Sequence, residues 1–104
     1  ESKSTGELVI YGMSISYNTI ACNMLAADLK VGREQHVNLF DAAQKEPEFL
    51  SINPMGAVPA LTHGDFCVAE TTAILRYIAR TFGPQYYSDL SIKEQATIDW
   101  VLDW

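Results

Sequence analysis

The sequence predicts an α/β sandwich: a mixed four-stranded sheet laid down in the order βαβ, α, ββ, α, followed by one further helix that opens an all-α second unit. Three observations carry this reading. Short apolar, β-branched runs occur at residues 7–11, 57–62 and 66–69, each bounded by Gly, Pro or polar turn residues. Helical spacing of apolar residues occupies the intervals between and after them. A tight Gly64-containing loop joins the last two runs, as in a β-hairpin.

In chain order, residues 7–11 read as a buried strand ending at Gly12. Ser14 and Ser16 lie in the polar turn that follows. Residues 17–30 form a helix on the spacing of Ile20, Met24 and Ala27, with Gly32 closing it as a C-terminal cap. Residues 34–40 alternate polar and apolar and complete a βαβ unit, which requires a parallel pair and a right-handed crossover. Residues 41–48 are a weak helix anchored by Phe49 and Leu50, and Asn53-Pro54-Met55-Gly56 is turn punctuation. After the hairpin, Ile74, Tyr77, Ile78 and Phe82 stand at i, i+3, i+4 and i+8, and Gly83-Pro84 stops that helix. Residues 84–90 read as a linker. Ser91 and Glu94 have the spacing of a capping box, and Thr97, Trp100, Val101 and Trp104 share one face of the helix beyond it. That face needs a cover of further helices or a partner chain. The expected division is therefore residues 1–83 as the first domain, 84–90 as the linker and 91–104 as the first helix of a helical domain.

With 104 residues, 48% of them hydrophobic and 19% charged, the chain can bury one core without disulfides or metals. Thirteen acidic residues against seven basic ones give a net charge of −6, and the basic residues are scattered. This composition argues against nucleic acid and anionic membrane surfaces as partners. No apolar run approaches the roughly 20 residues needed to span a bilayer, and the polar first residues carry no signal peptide. Cys22 and Cys67, each among apolar neighbours, are expected to be small buried hydrophobes. Two unpaired thiols fit the cytoplasm or another reducing compartment. His36 and His63 lack metal-ligand spacing, so no metal site is expected.

One multi-part pattern goes further. Asn53-Pro54-Met55-Gly56-Ala57-Val58-Pro59-Ala60-Leu61, then Gly64, then Glu70-Thr71-Thr72-Ala73-Ile74 and Tyr77-Ile78 closely resembles the N-terminal, thioredoxin-like domain of the glutathione transferases. Upstream, Tyr11-Gly12-Met13-Ser14-Ile15-Ser16 resembles the serine-type branch of that family, the phi, theta and delta classes. The resemblance spans about residues 7–83. It implies glutathione as co-substrate, a small hydrophobic electrophile as second substrate, and a homodimer or docking in a larger assembly.

The resemblance also implies roles. The Val58–Pro59 bond would be cis, exposing the Val58 backbone to the cysteinyl part of glutathione, as in strand addition. Thr71 would cap the following helix, whose free N–H groups attract the γ-glutamyl carboxylate, while Glu70 meets the amine. Gln44 and Lys45 stand where the phi pattern offers His-Lys to the glycine carboxylate. Ser16 would donate a hydrogen bond that favours thiolate over thiol; Ser14 is its competitor, and either could simply cap the helix. Departures from the pattern are Ile20 and Ala21 where Arg is frequent, and Ala57 before the Val58-Pro59 pair. Thioredoxins and glutaredoxins carry a reactive cysteine in this turn and this chain does not, which argues against dithiol exchange. Arg76 and Arg80, one turn apart, would lie on a dimer-forming face or be a solvated basic pair. The alternative to a glutathione S-transferase-type enzyme is a non-catalytic transferase-like docking module or accessory subunit. A glutathione-dependent peroxidase or isomerase would use the same residues.

Overall fold

The structure, a computed structural model, describes residues 6–103. Leu8–Gly12 (β1) is the strand around which the rest is arranged, and its apolar residues are buried on both faces, as a central strand requires. Arg33–His36 (β2) pairs with it in parallel, Val9 opposite Arg33. On its other side Ala60–His63 (β3) runs antiparallel, Ile10 opposite Leu61. Phe66–Ala69 (β4) then pairs antiparallel with β3, giving the order β2-β1-β3-β4. Gly64 has a φ of 66° in the two-residue loop between β3 and β4, the left-handed conformation such a hairpin needs at its first loop position.

Helices Tyr17–Asp28 (α1) and Thr71–Phe82 (α3) cover one face of the sheet. Their shared core is Leu8, Ile10, Cys22, Ala26, Leu61, Ile74 and Ile78. Each fully buried isoleucine contributes about 1.5–3 kcal/mol relative to exposure. On the same face the buried His63 ring nitrogen Nδ1 lies 2.6 Å from the Tyr77 hydroxyl, which satisfies both polar groups. The opposite face is covered by two 3₁₀ turns, Leu39–Asp41 and Ala43–Lys45, and the short helix Pro47–Leu50 (α2). There Val37, Phe49 and Ala60 are buried against Tyr11, Ile52 and Val58.

Several boundaries and faces differ from the sequence reading. The strand expected over 34–40 ends at His36, because Asn38 caps a 3₁₀ turn: its Oδ1 accepts from the Phe40 N–H at 3.0 Å. In α1 the buried face is Thr19, Cys22 and Ala26, whereas Ile20, Met24 and Ala27 point outward. The helix ends in a Schellman motif, with Val31 N bonded to Ala26 O at 2.9 Å and Lys30 N to Ala27 O at 3.1 Å. Lys30, with φ 58°, holds the left-handed position expected of Gly32. Gly32 serves a different need: a Cβ there would stand 2.7 Å from the Leu8 carbonyl oxygen. Cys22 is fully buried, but Cys67, on the outer strand β4, is exposed.

Ile92–Asp103 (α4) is tied to α3. Ser91 and Glu94 form the reciprocal capping box, with Glu94 N donating to Ser91 Oγ at 3.1 Å and Ser91 N to Glu94 Oε1 at 2.9 Å. Arg76 bonds Asp99 at 2.9 Å and Asp103 at 3.2 Å, and the Arg80 guanidinium sits 4.8 Å over the Tyr87 ring. The two arginines are therefore engaged within the chain rather than forming a free basic pair. The segment 84–90 is likewise anchored: Tyr87 is buried and its hydroxyl donates to Asp99 at 2.5 Å. Trp100 is 73% exposed, and Trp104 lies outside the described residues.

Candidate functional site

At the C-terminal end of β1 the chain turns through residues 13–16 into α1. Gly12 permits that turn to close tightly, since a Cβ there would meet Thr19 Oγ1 at 2.4 Å. Ser16 occupies the N-cap position of α1 with extended backbone, and its hydroxyl makes no capping bond to the helix. Its backbone is fixed instead by N–H donation to the Met13 carbonyl at 2.8 Å. The hydroxyl is thus left available to a ligand. Ser14 lies exposed within the turn.

Opposite this turn, the Val58–Pro59 peptide bond is cis and leads directly into β3. Asn53, read from sequence only as turn punctuation, braces this loop from inside. It is buried, its Nδ2 donates to the Ala57 carbonyl at 2.8 Å, and its Oδ1 accepts from the Met55 N–H at 3.2 Å. Gly56 (φ 63°) brings the loop against the 3₁₀ turn that carries Gln44 and Lys45. The Lys45 Nζ lies 2.9 Å from the point where a Gly56 Cβ would stand. Gln44 is partly buried, with its Oε1 unpartnered among the described residues.

The third wall is the start of α3. The cap there is Glu70 and not Thr71, which is the first helical residue. The reason is backbone geometry: β4 must reverse into α3 within one residue, and Glu70 does so with φ 76° and ψ 126°. Such a conformation costs about 1–3 kcal/mol for a residue with a side chain, and it is typical of ligand-clamping positions. Glu70 makes no side-chain bond to the helix, and the first turn contains no acid. Among the described residues no side chain caps the first N–H groups of α3, and the positive end of the helix dipole lies there.

These parts meet in a cleft of about 100 Å³ lined by Asn18, Asn53, Ala57, Val58, Pro59, Glu70 and Thr71. The structure thus brings together Val58, Pro59, Glu70 and Thr71. Gln44 and Lys45 stand at the margin beside Gly56, and Ser16 lies two residues before Asn18 in the chain. Two helix N-termini, those of α1 and α3, flank the cleft, and neither has an acidic residue in its first turn. The arrangement suits an extended ligand with carboxylates and an amine. Asn18 carried no signal in the sequence. Among the described residues no group of side chains could hold a metal ion, and no helix is long and apolar enough to cross a membrane.

Comparison with known proteins identifies the family and the fold. The family model of the glutathione S-transferase N-terminal domain matches residues 6–80. The chain belongs to the glutathione S-transferase family. A probable glutathione S-transferase of Oryza sativa subsp. japonica is 34% identical over 93 residues, covering 86% of this chain and 42% of the relative. Glutathione S-transferase 1 of Zea mays is 34% identical over 94 residues, covering 88% and 44%. Among solved structures, glutathione S-transferase-I bound with lactoylglutathione superposes with a TM-score of 0.82 at 32% identity, covering 90% of this chain and 46% of that one. A glutathione transferase homologue from Drosophila mojavensis with bound glutathione gives a TM-score of 0.81 at 28% identity, covering 89% and 43%. The chain thus spans less than half the length of these relatives. Family and fold are those of the thioredoxin-like glutathione-transferase domain, a mixed four-stranded sheet with flanking helices.

Proposed function

We propose that this chain is the glutathione-binding part of a glutathione transferase, and that Ser16 activates the glutathione thiol for attack on a hydrophobic electrophile. The observation that carries the reading is the cleft in which the cis Val58–Pro59 loop faces the uncompensated N-terminus of α3. The cysteinyl backbone of glutathione pairs with the N–H and C=O of Val58. Its γ-glutamyl carboxylate accepts from the N–H groups at the start of α3, and Glu70 takes the amine. Lys45 and Gln44 receive the glycine carboxylate. Residues 1–83 form this binding domain, 84–90 the anchored linker, and 91–104 the first helix of a helical domain that completes the electrophile site. The exposed Ile15 and Tyr17 beside Ser16, and Trp100 and Val101 on α4, support such a cover.

In the reaction the thiol loses its proton to solvent, and the Ser16 hydroxyl donates to the sulfur anion. The thiolate then attacks the electrophilic carbon, a C–S bond forms, and the leaving group departs with its electron pair or the adduct is protonated. A hydrogen bond to a charged group contributes about 1.5–3 kcal/mol, so its loss should raise the bound thiol pKa by about 1 to 2. In the full-length protein, Ser16→Ala should lower the rate at neutral pH about 10- to 100-fold with little change in glutathione affinity. Ser14→Ala should do much less. The check is the thiolate absorbance of bound glutathione against pH for the wild type and both variants. An unchanged titration in Ser16→Ala would reduce Ser16 to a helix cap and leave a binding module.

A further inference from the structure

A larger cavity, sharing no residue with the glutathione cleft, lies between the sheet and the α2 layer. It encloses about 440 Å³ and is lined by Tyr11, Gln35, His36, Val37, Ala43, Glu46, Glu48, Phe49 and Ile52. That volume falls within the roughly 300–1,000 Å³ of small-molecule sites. Its floor is apolar and aromatic. The Tyr11 and Phe49 rings are 6.3 Å apart and inclined at 58°, and Val37 and Ile52 pack beside them. A flat ring entering this space would lie against this mixed aromatic and aliphatic floor.

The rim has the opposite character. Glu46 caps α2 without using its side chain, and Glu48 follows in the first turn. Among the described residues neither carboxylate belongs to an ion pair: Arg33 is taken by Glu7 at 2.8 Å, and Arg76 by Asp99 and Asp103. Lys45, which directly precedes Glu46, has its ammonium beside Gly56. A cavity with an apolar floor, bordered by two carboxylates outside any ion pair among the described residues and by Gln35 and His36, suits a ligand that couples an aromatic ring to a positive charge. The net charge of −6 attracts the same sign of ligand over longer range.

We propose that this cavity is a second small-molecule site, separate from the glutathione cleft, that takes aromatic amines: the ring against Tyr11 and Phe49, the ammonium at Glu46 and Glu48. The proposal does not depend on the transferase reading. Isothermal titration of the protein with tryptamine, with and without saturating glutathione, tests it. One saturable site is expected, unaffected by glutathione. The double variant Glu46→Gln/Glu48→Gln, both positions exposed and the amide isosteric, should weaken tryptamine about tenfold or more while circular dichroism and glutathione binding stay unchanged. Indole-3-acetate, the same ring with the charge reversed, should bind far more weakly than tryptamine to the wild type. Absence of saturable tryptamine binding, indifference to the double variant, or displacement by glutathione would each overturn the proposal.

Discussion

Cys22 and Cys67 belong to the same small sandwich yet differ in their access to solvent. Cys22 is enclosed between α1 and the sheet, and burial pushes its pKa up to about 12. Cys67 is exposed on β4. Only the thiolate reacts, so the native protein at pH 8 should show one fast-reacting thiol, Cys67, with an aromatic disulfide reagent. Cys22 should react only as fast as the protein unfolds, and Cys67→Ser should abolish the fast phase. Two equally fast thiols would contradict this account. Because the folded value of Cys22 is raised, its linkage to stability is intact below pH 9.0 and declines only as the pH climbs from there toward 12. Residue-level reading from sequence was sound where local geometry decided the outcome, as at Gly64 and at Ser91 with Glu94. At Cys67 it was wrong because apolar neighbours in sequence do not say which side of an outer strand is covered. At Thr71 it was wrong because the cap position was decided by the turn out of β4, which propensity does not encode.

At the scale of single elements, α4 shows most plainly how a short sequence signature becomes a physical start signal. Its capping box satisfies two N–H groups reciprocally, and the backbone and hydroxyl of Ser91 hold the Glu94 carboxyl below the usual carboxylate range. Replacing Ser91 with alanine should cost about 1 kcal/mol of helix stability. Hydrogen exchange should register this as faster exchange of the first-turn amides of α4 with no change in α1. Equal acceleration in both helices would mean that the box supports the whole domain instead. The contrast with α1 explains what periodicity can and cannot reveal. Ile20, Met24 and Ala27 have good helical spacing but sit on the outer side, while the inner side uses Thr19, Cys22 and Ala26. Small inner residues let α1 approach the sheet closely at Gly12, and small residues leave a weak hydrophobic signature. In α3 the large residues Ile74 and Ile78 face inward, and the pattern was legible.

For the molecule as a whole, the joint between α3 and α4 depends on charge. The Tyr87 hydroxyl first, and the Arg76 guanidinium with it, hold the Asp99 carboxyl below the usual carboxylate range. A depressed folded pKa means that this stabilisation is fully present above the unfolded value and is lost as the pH falls through the folded one. Acidification below about pH 4 should therefore loosen α4 before the sheet core unfolds, a carboxylate's ordinary pKa being about 3.9. Amide exchange or limited proteolysis at residues 91–103 follows the change, and Asp99→Asn should already be loosened at neutral pH and show a smaller further acid dependence than the wild type, the remainder coming from Asp103 and Glu94. Simultaneous acid loss of α4 and the sheet in the wild type would refute this order. The order of elements along the chain, the parallel pair and the hairpin were legible in the sequence, because turns and βαβ chirality restrict the topologies so strongly. The α3–α4 joint was not, since Arg76 and Asp99 come from segments whose packing angle no local pattern specifies.

The composition of β2 has a bearing on how copies of this molecule meet one another. An open sheet ends in two rows of unpaired peptide groups, each able to accept a strand from a second molecule. On the β2 side, that row is bordered by Arg33, Glu34, Gln35 and His36, all exposed to water. A strand arriving there would have to strip water from charged side chains of both signs before gaining any hydrogen bonds. The polar character that makes β2 a weak strand by propensity also makes it a guarded border, keeping the sheet from extending into a neighbouring molecule.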